Sequence, residues 1–297
     1  MGESWTRRGF LRRSLTAGAA VAVGQAGKLL AADKPGSKMR LGLVTYLWAK
    51  DWDLPTLIRN LEASKVLGVE LRTTHKHGVE PGLGAAARAD VKKRFADSPA
   101  VLVGLGSAEC FDHTDPQRLA KAIDATKAFV QLSHDVGGSG VKVRPNDFHK
   151  QVPRDKTIEQ IGRSLNVVGK FAADLGQEIR LEVHGGCSEL PTIKRIMDFA
   201  TEPGVGVCWN SNGTDLTGGG LAHNFDLVKA RFGAIAHIRP LDTKGYPWQE
   251  LVGLFVRMDY AGWLLVEASD KRTDYVAALA GQRQLFEKMR ATAQGAV

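Results

Sequence analysis

Four β-rich runs in the second half of the chain each carry a polar side chain near the carboxyl end. Glu182 lies in the run from Glu178 to His184, Asn210 ends the run from Val205, His237 lies in Ile235 to Leu241, and Glu267 in Gly262 to Ala268. Strand alternation puts Arg180, Glu182 and His184 on one face and Leu181 and Val183 on the other. A carboxylate in an apolar strand is costly unless it is paired, protonated or bound to metal. A buried ion pair, such as Glu182 with Arg144 or Glu267 with Arg72, would explain any one of them. Two glutamates, a histidine and an amide at four successive strand ends favour a shared site. Oxygen ligands with one imidazole suit Mn²⁺ best, with Mg²⁺ or Co²⁺ as alternatives. Such an ion polarises a carbonyl and the neighbouring hydroxyl, which eases removal of the proton between them. A carboxylate on each face then withdraws and returns that proton. This is the logic of aldose–ketose isomerisation and of epimerisation beside a ketone.

Other strand ends supply side chains suited to binding a small carbohydrate. The second run gives Glu70 and Arg72, with His75 and His77 just beyond; the fourth gives Lys142 and Arg144; His184 and Arg239 follow Glu182 and His237. The four cations fit sugar hydroxyls, an anionic group, or the carboxylates themselves. Trp48 and Trp209 are placed to stack on a sugar face or to pack. The pair in His75-Lys76-His77 reads chiefly as solvent-facing, with His75 kept as a substrate contact.

These residues need a frame that brings strand ends together. From Met39 onward, β-rich runs alternate with stretches of helical spacing. The strand runs are Arg40 to Trp48, Gly68 to Thr74, Ala100 to Ser107, Gly140 to Arg144 and the four above. Apolar residues recur every three or four positions in Leu54 to Val66, Leu119 to Val136, Ile158 to Leu175 and Tyr275 to Met289. Asp53 before Leu54-Pro55 and Asp115 before Pro116 read as helix caps. Gly68, Gly138 and Gly176 read as helix ends. Eight strand–helix units without a long linker predict one closed (β/α)8 TIM barrel over residues 33–297, whose chemistry sits at the carboxyl ends of the strands. An open doubly wound sheet is the rival, but Val103-Gly104-Leu105-Gly106 lacks the third glycine of the dinucleotide fingerprint.

The 297 residues are 43% hydrophobic and 24% charged, an ordinary globular composition, and no apolar run approaches twenty residues. Cys110, Cys187 and Cys208 show no CxxC spacing and read as isolated small hydrophobes. Arg7, Arg8, Arg12, Arg13 and Lys28 against Glu3 place half of the formal net charge of +8 in residues 1–32. The basic excess is therefore weak evidence for nucleic acid, and no nucleic-acid partner is expected. Thr6-Arg7-Arg8-Gly9-Phe10-Leu11 followed by a short run of small residues is similar to a twin-arginine export signal. It predicts an exported, periplasmic protein that touches the membrane only through that segment. Self-association is left open.

Leu181-Glu182-Val183-His184-Gly185-Gly186, Gly206-Val207-Cys208-Trp209-Asn210, Ala236-His237-Ile238-Arg239 and Val266-Glu267 resemble the last four strands of the xylose-isomerase-like barrels. Proteins of this group are often labelled sugar phosphate isomerase/epimerase, and ketose 3-epimerases belong to it. The resemblance implies Glu, Asp, His and Glu from strands five to eight around one divalent ion, with the two glutamates also moving protons; here that implies Glu182, Asn210, His237 and Glu267 as metal ligands and Glu182 and Glu267 as the acid/base pair. Asn210 stands where Asp is expected, which removes a unit of charge, and no histidine follows shortly after it. Two other functions fit the same barrel: a lyase on 3-keto-glycosides, and a sugar-binding barrel with a decayed metal site. An apurinic endonuclease of related fold needs more histidines at strand ends than this sequence supplies.

Overall fold

The computed structural model describes residues 33–295. Strands β1 (Arg40–Val44), β2 (Gly68–Arg72), β3 (Val101–Cys110), β4 (Gly140–Arg144), β5 (Glu178–Glu182), β6 (Val205–Cys208), β7 (Ile235–Ile238) and β8 (Trp263–Val266) are all parallel. Each is followed by a helix: α1 (Leu54–Ser64), α2 (Ala85–Ala96), α3 (Pro116–Val136), α4 (Arg154–Asp174), α5 (Leu190–Phe199), α6 (Gly220–Val228), α7 (Trp248–Arg257) and α8 (Tyr275–Gly295). The pairing order is β6-β5-β4-β3-β2-β1-β8-β7. The seam between β6 and β7 is closed by isolated bridges, Val207 with Phe232 and Asn210 with His237. The expected (β/α)8 barrel is the fold. The export reading falls on residues 1–32, outside the described residues.

Local chemistry places the elements as the sequence suggests at several points. Asp53 accepts a hydrogen bond from the Thr56 N–H at 2.9 Å, and Asp115 from the Gln117 N–H at 2.8 Å. Each such cap contributes about 1 kcal/mol. Gly176, at φ 63°, is left-handed as expected. Two assignments shift. Gly68 opens β2, and α1 is instead ended by Lys65 at φ 60°; Gly137, not Gly138, takes the left-handed turn after α3. Among the described residues no helix is long and apolar enough to cross a membrane.

The helices cover the outside of the barrel with Leu, Ile and Val, while a smaller cluster of Val44, Val103, Cys208, Ile235, Trp263 and Leu265 fills its interior. Glycines on inward-facing positions leave space for long side chains. A Cβ on Gly104 would stand 2.5 Å from Arg180 Nη1, and one on Gly106 would stand 2.5 Å from Glu70 Oε1. Arg180 is fully buried, held by Glu178 Oε2 at 2.6 Å, the Val103 carbonyl at 3.1 Å and Ser139 Oγ at 2.7 Å. Every hydrogen-bonding nitrogen of this guanidinium has an acceptor, so Arg180 is a structural filler of the barrel below the site.

Candidate active site

At the carboxyl ends of the strands lies a cavity of about 360 Å³, within the size range of small-molecule sites. Its walls include Arg72, Lys142, Arg144, Glu182, His184, Asn210, Arg239 and Glu267. Strand periodicity explains the convergence: Glu182 ends β5, His237 lies within β7, Glu267 follows β8, and all occupy inward positions.

Glu182 Oε1 accepts a hydrogen bond from Asn210 Nδ2 at 2.8 Å, and Oε2 lies 2.8 Å from Lys142 Nζ. Lys142 is 4% exposed and also donates to the Ser107 carbonyl at 3.2 Å. Burial pushes Glu182 up, but the Lys142 ammonium and His237 outweigh it and hold the carboxyl well below its ordinary value. Burial also disfavours the Lys142 charge, yet Glu182, Glu70 and Glu267 raise its pKa. The sequence reading offered Arg144 as the partner of Glu182; Lys142 is the partner instead. Arg144 stands higher at the mouth, and its Nη2 donates sideways to the Ala108 carbonyl at 2.6 Å. Likewise Glu267 pairs with no arginine among the described residues; Arg72 lies over the Tyr46 ring at 5.3 Å.

His237 is the hub. Its Nδ1 lies 3.5 Å from Glu182 Oε1 and 3.7 Å from Glu267 Oε2, and its Nε2 lies 3.3 Å from Glu70 Oε1. Burial alone would lower the pKa of His237, but Cys208, Glu70 and Glu182 raise it well above the imidazole value. The surroundings favour positive charge at this point, whether carried by a proton or by a metal cation. Glu267 is the opposite case: burial and repulsion from Glu182 raise its pKa. Two carboxyls in one pocket are thus pushed in opposite directions.

A metal fits part of this set. One donor atom from each of Glu182, His237 and Glu267 lies within 4.8 Å of the others. The buried Glu70 carboxylate behind His237 is the kind of partner that fixes which imidazole nitrogen faces an ion. Asn210, between the two glutamates, donates through Nδ2 to Glu182 Oε1 at 2.8 Å and to Glu267 Oε2 at 3.5 Å.

The remaining site residues separate into wall and support. Arg144 Nε, His184 Nδ1 and Arg239 Nε are buried without hydrogen-bond partners among the described residues, so the wall residues Arg144, His184 and Arg239 retain unmet polar capacity beside the cavity. Glu70 is fully buried beneath His237 and does not line the cavity. His75 reaches the site through Arg72, its Nε2 3.3 Å from Arg72 Nη1. His77 is buried and lies 2.8 Å from the Arg72 carbonyl, contrary to a solvent-facing role. Trp209 is fully buried against Phe225 and Phe232 and cannot stack on a substrate. Trp48 is buried too, its Nε1 donating to the Asp270 carbonyl at 2.9 Å. The sequence reading missed Tyr46, Ser211, Asn212 and Ser269, which also line the cavity. For Tyr46 a signal existed, since positions 42, 44 and 46 continue the inward alternation of β1.

Residues 58–291 match the family model described as xylose isomerase-like TIM barrel. The chain belongs to that family. The search of curated proteins finds no significant match. Among solved structures, an L-ribulose 3-epimerase superposes with TM-score 0.73 at 15% identity, covering 86% of this chain and 95% of its own. The 3-keto-D-glucoside 4-epimerase YcjR from E. coli gives TM-score 0.70 at 14% identity, over 84% and 99% of the two chains. The IOLI protein with a binding zinc atom gives 0.69 at 15% identity, over 86% and 98%. At such identities the likeness establishes the architecture this xylose isomerase-like barrel shares with them.

Proposed function

We propose that this chain is a metal-dependent sugar isomerase or epimerase that removes and returns a proton next to a carbonyl. The observation that carries the reading is the convergence of Glu182, His237 and Glu267, one donor atom of each within 4.8 Å of the others, with both glutamates on the wall of the cavity at the strand ends. Membership in the xylose isomerase-like family and the epimerase folds it resembles support the same reading. Glu182 takes the proton from the carbon beside the carbonyl, and that C–H electron pair moves toward the carbonyl oxygen. Glu267 delivers a proton to the opposite face of that carbon. Lys142 holds Glu182 in place, and Arg144, His184 and Arg239 bind sugar oxygens. A divalent ion held by Glu182, His237 and Glu267 supplies polarisation of the carbonyl and of the adjacent hydroxyl.

The same proton removal begins β-elimination from a 3-keto-glycoside, so one experiment separates the readings. Purified protein with Mn²⁺ is incubated in D₂O with free ketoses and with a 3-keto-glycoside. Deuterium entering beside the carbonyl together with interconverted sugars supports the proposal. Aglycone release assigns the lyase instead. Sugar binding without exchange assigns a binding barrel and overturns catalysis. The export reading of residues 1–32 belongs to the proposal and favours free or oxidised sugars over phosphorylated ones. A reporter active only after export, fused behind residue 32, tests it, with loss expected in R7K/R8K.

A further inference from the structure

β3 is the longest strand, and its end gathers a second set of donors outside the pocket just described. The strand runs on to Cys110, and the turn before the Asp115 cap of α3 carries Asp112 and His113. Cys110 Sγ lies 3.8 Å from His113 Nε2, and these atoms and a carboxylate oxygen of Asp112 all fall within 4.8 Å of one another. Asp112 is 4% exposed. Its Oδ2 accepts from the Asp147 N–H at 3.2 Å and lies 3.1 Å from His149 Nε2, whereas its buried Oδ1 has no hydrogen-bond partner among the described residues. A buried carboxylate oxygen left without a partner is costly, and a cation removes that cost.

We propose that Cys110, Asp112 and His113 form a second metal site, suited to zinc, separate from the Glu182–His237–Glu267 cluster. One sulfur, one imidazole nitrogen and one carboxylate is a donor set that selects zinc over magnesium or calcium. Bond lengths of about 2.3 Å to sulfur and about 2.05 Å to nitrogen in a tetrahedron set the two donors about 3.6 Å apart. The observed 3.8 Å is within a small side-chain adjustment of that. His149, against Asp112 Oδ2, orients the carboxylate from behind. On binding, the thiol proton leaves to solvent and the sulfur bonds the ion as thiolate. Cys110 pairs with Arg144 across the β3–β4 ladder, so the site adjoins the cavity wall without entering the acid/base pair.

The proposal stands independently of the sugar chemistry, and cobalt tests it. The full chain, stripped with chelator, is titrated with Co²⁺ and separately with Zn²⁺. Wild type and the E182Q/E267Q variant are expected to show a thiolate-to-cobalt charge-transfer band. C110S and H113A, checked for fold by circular dichroism, are expected to lose the band and one tightly bound zinc per chain. Absence of the band in wild type overturns the site, as does a zinc stoichiometry unchanged in both C110S and H113A. Loss of the band in E182Q/E267Q with C110S unaffected would likewise overturn it.

Discussion

Replacing Lys142 with Met removes the ammonium that faces Glu182 and leaves a side chain of similar length. At 2.8 Å and an effective dielectric near 20, the attraction being removed is about 6 kcal/mol. The chain has an escape, because the stranded carboxyl can take up a proton. From the ordinary value of 4.5, holding that proton at pH 7 costs about 3.4 kcal/mol, at about 1.36 kcal/mol per unit. The smaller number is the ceiling, since Asn210 and His237 still face Glu182, so K142M is expected to lose up to about 3 kcal/mol at pH 7, or up to roughly 6–12 °C in Tm for a domain of this size. The sign follows from linkage. In wild type the depressed Glu182 pKa contributes stability that is present above 4.5 and lost as pH falls through its folded value. In K142M the Glu182 pKa rises toward or above its unfolded value, so the deficit grows from pH 5 to pH 7. Urea unfolding at both values, in chelator, measures it, and added Mn²⁺ should return part of the loss by replacing the missing positive charge. A variant within about 1 kcal/mol of wild type at pH 7, or a deficit that does not grow with pH, refutes the reasoning.

Glu267→Gln keeps shape and removes the titratable proton; steady-state assay should show kcat down by about 10² to 10⁴-fold with the unfolding midpoint little changed. Glu70→Gln should weaken Mn²⁺ binding by about 10 to 100-fold in calorimetry, since the partner of His237 Nε2 loses its charge. Asp215, whose Oδ2 accepts from Tyr246 Oη at 2.6 Å, is pushed by burial up to about 7. The folded state therefore binds this proton more tightly than the unfolded chain, and the stability it contributes is lost as pH rises from about 4 through about 7. Stability curves of Asp215→Asn should be flatter over that window. Arg239→Ala should raise KM for the sugar more than it lowers kcat, because Arg239 lines the cavity while the ion-pair partners of Glu182 and Glu267 are Lys142 and His237.

Much of the fold was legible because two periodicities carry it. Alternation put Glu182 on one face with Arg180 and His184, position near the strand ends picked out His237 and Glu267, and caps at Asp53 and Asp115 marked two helices. Alternation also holds the answer for Trp209: it sits between inward Cys208 and Asn210, so it must face the helices, and Phe225 and Phe232 receive it. Depth was harder to read. Lys142 and Arg144 share a face, and only their height in the tilted barrel decides that Lys142 meets Glu182. The burial of His77 depends on a loop closing over the Arg72 carbonyl, for which a short sequence motif has no signal. Helix α2 begins at Gly84 without a side-chain cap and buries only Val91 and Phe95, which explains why apolar spacing marked it poorly.

The empty side-chain position at Gly106 turns a remote residue into a control point. Glu70 occupies the volume that even a methyl group there would claim, and Glu70 stands directly behind His237. Crowding introduced at 106 would thus travel through one carboxylate to the imidazole, altering catalytic chemistry while every residue that touches substrate stayed as it was.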